Sequence, residues 1–112
     1  MGMKASDFDR RVQVRRSGLV DDGYQTAEGE YRNFGSAIAA SRRDISDGEK
    51  LASGAVLASL DTRFRVRSSA FTRGILPSDR LCSERRTFEI LGIKEVEGRF
   101  AMIEITCTAR VL

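Results

Sequence analysis

Histidine and tryptophan are absent from this chain of 112 residues, proline occurs once, and cysteine only twice. Without histidine there is no Ser-His-Asp or Cys-His catalysis, no imidazole general base and almost no ordinary zinc site. Cys82 and Cys107 are too far apart in sequence for a Cys-x-x-Cys ligand pair. Both lie in strand-like segments, where a free thiol behaves as a small buried hydrophobe, and nothing requires them to be bridged. Neither a P-loop nor a Gly-x-Gly-x-x-Gly phosphate loop is present. No run approaches the about 18 apolar residues of a membrane span. Residues 1–11 lack the apolar stretch of a secretory signal, so synthesis and folding in a reducing cytoplasm, with no membrane partner, are expected.

Carboxylates are paired only in glycine-containing turns, Asp21-Asp22-Gly23 and Asp44 to Gly48. Aspartate there serves backbone hydrogen bonding, and the second run does not meet the ligand spacing of an EF-hand. The expectation is a protein with no enzymatic activity, no cofactor and no metal.

What remains is an ordinary globular composition, 41% hydrophobic and 31% charged, sized for one domain spanning 1–112. The core must be mostly aliphatic, since the aromatics are six Phe and two Tyr. A chain this short buries a limited share of its surface, which makes self-association a natural supplement to its stability. The net charge is +3, and 16 of the 19 basic residues are arginine. Guanidinium forms bidentate pairs with carboxylate or phosphate and is weakly hydrated, which suits protein interfaces or a nucleic-acid backbone. Sixteen acidic residues are interspersed without a single-sign block, so interfaces and solvated faces are the favoured reading.

Residues 1–9 read as a flexible N-terminal arm with Ser6-Asp7 capping a single turn. Arg10 to Arg16 alternates with period 2, placing Val12 and Val14 on one face and Arg11, Gln13 and Arg15 on the other. Ser17 to Gly29 carries turn signals and reads as a long hairpin-like connection or an exposed loop. Tyr31 to Ser41 is read as a strand with Gly35 at a bulge, because glycine inside a helix costs roughly 1 kcal/mol relative to alanine. The stretch from about 42 to 58 is the least strand-like and is expected to project as a loop or short helix. Beyond it Thr62 to Arg67 alternates, with Phe64 and Val66 inward and Arg63, Arg65 and Arg67 outward. Arg80-Leu81-Cys82, Thr87 to Ile93 and Phe100 to Val111 complete the strands. Five or six short strands separated by turns predict a mostly β fold, a small antiparallel β-barrel or sandwich. The arginine rows are expected to form a solvated barrel exterior with cross-strand partners. The competing role is a phosphate-facing surface; the stacking platform of a single-strand binder would need exposed aromatics between the cations, and Phe64 points the other way.

Taken in order, these segments resemble the phage head–tail joining (head-closure or stopper) family. The resemblance rests on Arg10 to Arg16, the Asp21-Asp22-Gly23-Tyr24 turn, and Tyr31 and Phe34 ahead of Ala37 to Ala40. It continues through Gly48-Glu49, Arg63 to Arg67, Asp79-Arg80-Leu81 and Phe88-Glu89-Ile90-Leu91-Gly92-Ile93. Departures are the missing tryptophans and the Cys82 to Arg86 turn, where relatives often carry glycine.

The resemblance implies a structural neck protein of a tailed phage or a gene-transfer-agent-like particle, assembled in the bacterial cytoplasm. It would form a homo-oligomeric ring between a portal or adaptor protein and a tail-terminator or tail-tube protein, with packaged double-stranded DNA in the channel. Closed rings use heterologous contacts, two different patches on each subunit. On this reading Arg42, Arg43 and Lys50 are the candidate contacts to DNA or adaptor, and Asp44, Leu51 and Val56 the candidate inter-subunit arm. A portal-adaptor or tail-terminator ring is the neighbouring alternative, and a free nucleic-acid-binding β-barrel the alternative from another class.

Overall fold

The computed structural model describes residues 5–21, 26–45 and 61–110. Seven strands are formed: β1 (Arg10–Asp21), β2 (Thr26–Asn33), β3 (Ile38–Asp44), β4 (Asp61–Arg67), β5 (Arg80–Ser83), β6 (Arg86–Val96) and β7 (Met102–Ala109). Ala5–Asp7 and Thr72–Gly74 are single 3-10 turns, and no α-helix occurs among the described residues. Every strand pairing is antiparallel. The order β1-β3-β4-β7-β6-β5 returns to β1 through Gln13 to Arg15 against Arg80 to Cys82, so six strands close a barrel and β2 is an extra strand.

Alternation in β4 sets the inside of the barrel. Thr62, Phe64 and Val66 are buried while Arg63, Arg65 and Arg67 face out. Val12, Val14, Leu81, Phe88, Ile103, Ile105 and Cys107 fill the interior from the other strands. Phe64 and Phe88 meet edge to face at its centre, 5.3 Å between centroids and 84° between planes, a geometry their ring quadrupoles favour.

Several boundaries differ from the expectation, each for an identifiable reason. Of the two readings of Ser17 to Gly29, the hairpin-like one holds and the exposed loop does not: β1 runs on to Asp21 and pairs with β2, with Val20 opposite Ala27. Backbone pairing overrides the turn-rich composition there. Tyr31 to Ser41 is two strands along β1, broken where Gly35 takes φ +70. A Cβ on Gly35 would lie 2.4 Å from the Phe71 ring, which itself stacks on Phe34 at 5.5 Å. The last strand starts at Met102, because Glu97, Gly98 and Phe100 adopt positive φ in the β6–β7 turn. The expected projection from 42 is also corrected. Arg42, Arg43 and Asp44 belong to β3, held by pairing with Phe64, Arg63 and Thr62, and 46–60 lie outside the described residues.

The β5–β6 hairpin turns on Glu84 and Arg85, both left-handed at φ 51 and φ 67. A two-residue hairpin of this type I′ kind needs positive φ at both positions and favours Asn-Gly. A non-glycine residue there costs about 1 kcal/mol or more. Arg85→Gly is therefore expected to stabilise the fold by about 1 kcal/mol, seen as a higher urea midpoint with an unchanged m value.

Candidate functional site

At the barrel mouth where β3 ends and β4 begins, Ile45 N donates to Asp61 O at 3.0 Å. The chain therefore leaves and re-enters at one point. Arg42 lies on the inward face of β3, opposite Phe64, and its guanidinium sits 5.7 Å from the Phe88 ring centroid. It donates to Asp44 at 3.1 Å and approaches Glu84 at 3.5 Å. Arg10 pairs with Glu84 from the other side and with Asp9 at 3.7 Å. Thr62 Oγ1 also donates to Asp44 at 3.0 Å. Burial would raise the Asp44 carboxyl, but the bonds from Arg42 and Thr62 outweigh it and hold it below its ordinary range. An ion network thus caps this mouth of the barrel.

The predicted contact residues are accordingly separated. Arg42 is turned into the network together with Asp44, although the two were expected to serve different contacts. Arg43 points outward beside Arg63. Lys50, Leu51 and Val56 lie outside the described residues. Arg10 and Glu84 were missed, because neither stands near 42–58 in sequence; only the β1–β3 and β1–β5 pairings bring them there.

A second cluster lies on the outer face of β4 and β7. Glu104 is almost wholly buried, with Arg65 Nε at 2.9 Å, Lys94 Nζ at 3.5 Å and Arg63 Nε at 3.8 Å. Arg63 and Arg65 of the outward row thus share a carboxylate partner, whereas Arg67 lies over the Phe8 ring, 4.8 Å from its centroid. Beside it an open groove of about 480 Å3 runs between the N-terminal turn (Ser6, Asp7, Asp9) and Ser41, Arg43 and Arg63. Desolvation would raise the Glu104 carboxyl, yet the hydrogen bond from Arg65 and the charge of Lys94 hold it below 4.5. A depressed carboxyl stabilises the fold above the ordinary value and loses that contribution as pH falls through its own. Glu104→Gln is expected to cost about 1.5–3 kcal/mol at neutral pH. In pH-dependent thermal melts its deficit should shrink on acidification below 4.5.

Both thiols are free. Burial pushes the Cys107 thiol up to about 12, which leaves it protonated and unreactive in the folded chain.

The model of the family described as phage head completion protein matches residues 3–110. No curated protein matches the chain. Among solved structures, protein SF1141 from Shigella flexneri 2a superposes with a TM-score of 0.72 at 21% identity, covering 96% of each chain. A chain of the virion of a native gene transfer agent particle superposes with a TM-score of 0.70 at 19% identity, covering 92% of this chain and 94% of its own. At these identities the two likenesses establish a shared fold.

Proposed function

This chain belongs to the phage head completion protein family, and from that membership we propose that it is a non-enzymatic ring subunit of the neck of a tailed phage or phage-like particle. The ring closes the DNA-filled head below the portal or adaptor and offers its other side to the tail. The observation that carries this reading is the family match along nearly the whole chain, 3–110. The likeness to a chain of a gene transfer agent virion supports it. The absence of α-helix among the described residues weighs against an adaptor, which is expected to be helical.

Within the ring, Lys50 serves as a contact to DNA or the adaptor, and Leu51 and Val56 as contacts to the neighbouring subunit. Arg43 contributes from the adjoining outer face. Because Ile45 and Asp61 are already hydrogen-bonded neighbours, a short Gly/Ser turn can replace 46–60 without straining β3 or β4. The shortened chain is expected to fold with the parental circular dichroism spectrum. Particles carrying it should leak DNA or remain tailless in electron micrographs. Full-length, DNA-retaining, tailed particles from this replacement would overturn the reading.

A further inference from the structure

The β5–β6 turn keeps two side chains where the backbone favours asparagine and glycine, and the second of them is an arginine. Glu84 and Arg85 hold φ 51 and φ 67, an arrangement that costs stability and serves no packing, since both are exposed. Backbone strain of this kind persists where the side chain it carries has a use.

The charge around the turn points to that use. Glu84 is the turn's one carboxylate, and it is already taken by Arg10 and Arg42. Arg85 and Arg86 follow it, and Arg11 lies alongside, its carbonyl accepting a 2.8 Å bond from Ser83 Oγ. All three of these arginines are exposed. Among the described residues none of them has a side-chain hydrogen bond or ion pair, unlike the partnered row of Arg63 and Arg65. Five arginines therefore crowd one corner of the barrel against Asp9, Asp44 and Glu84, with the excess carried by the three that have no partner.

We infer that Arg85 in the strained β5–β6 turn, Arg86 at the start of β6 and Arg11 near the start of β1 form a phosphate-contacting finger for double-stranded DNA. The turn adjoins the mouth from which 46–60 depart, as the Arg42–Glu84 contact shows. A ring that turns this mouth toward its channel thus turns the finger there too. Guanidinium groups without partners suit phosphate oxygens, positioning the duplex without reading its sequence. The identity of the polyanion rests on the head-completion reading, since the charge alone would also suit an acidic protein.

The test is binding of the purified full-length chain to a short fluorescein-labelled DNA duplex, followed by anisotropy over a series of salt concentrations. Arg11→Gln/Arg85→Gly/Arg86→Gln is expected to weaken binding at least 10-fold at low salt. It should also flatten the dependence of log K on log salt by roughly 0.9 per lost contact. Arg85→Gly alone should weaken binding while its Tm rises by about 5 °C, so misfolding cannot account for the loss. An unchanged salt slope in the triple variant overturns the inference. So does binding of polyglutamate through the same arginines with none to DNA, which would assign the corner to an acidic protein. The neck reading fails separately: normal particles after replacement of 46–60, with the DNA salt slope still set by these arginines, would leave the finger and remove the ring.

Discussion

Substituting methionine for Arg16 is expected to lower stability by about 3–5 kcal/mol, one of the two largest losses available in this chain. Arg16 Nε and Nη2 donate to the two carboxylate oxygens of Asp79, each at 2.8 Å, and Nη2 also reaches Gly74 O at 2.9 Å. The guanidinium stacks on Phe34, 3.8 Å from the ring centroid. The Asp79 side chain is wholly buried, whereas that of Arg16 is 30% exposed. This asymmetry fixes which loss is worse. Without Arg16 the buried carboxylate keeps, among the described residues, only the Leu76 N–H, which donates to it at 2.8 Å. Asp79→Asn leaves the arginine able to turn to water and should cost only about 2 kcal/mol. Thermal melts followed by circular dichroism should show a Tm drop of roughly 12–20 °C for Arg16→Met, and a distinctly smaller one for Asp79→Asn. Equal drops would show that the carboxylate is not left stranded.

The pair matters because of where β5 stops. Past Arg80, among the described residues, no strand pairs with Ile90 to Val96 on the side away from β7, nor with Arg16 to Asp21 on the side away from β2. The segment from Thr72 to Asp79 packs into this part of the barrel wall, with Ile75 buried. Arg16 ties that segment to β1. Losing the tie should open this side first, as raised hydrogen exchange in Thr72 to Asp79 ahead of β4 and β7.

Phe64→Ala is expected to cost about 3–5 kcal/mol as well, for a different reason. Phe64 has no exposed surface and meets Phe88 edge to face at the barrel centre. Truncation leaves a cavity that strands fixed by hydrogen bonds on both sides cannot collapse. Phe64→Leu keeps most of the volume and should lose only about 1.5 kcal/mol. Arg67→Ala, exposed at the end of the same strand, should change stability by less than about 0.5 kcal/mol. The three variants, ranked by urea midpoint, test whether the alternation of β4 divides core from surface. A loss at Arg67 matching that at Phe64 would contradict it.

The sequence by itself determined the class of the fold, because period-2 alternation is a local property. Phe64 and Val66 between arginines, and Val12 and Val14 at matching parity, can bury one face only as strands. It also determined the chemistry left out, since a chain without histidine cannot form an imidazole site. The family resemblance likewise lay in the order and spacing of its segments, and the family match runs along nearly the same residues.

Only the tertiary structure decided which charges meet. Arg42 and Arg43 are adjacent in sequence, yet one turns inward to Glu84 and the other outward beside Arg63, because neighbouring strand residues face opposite ways. Glu104 reads as one more outward polar residue until strand register sets it across from Arg65, with Lys94 on the opposite flank. Arg16 and Asp79 meet only because β5 is short enough to let the segment before it fold back onto β1. Such pairings depend on register and closure, which are long-range properties of the barrel that no local window of sequence contains.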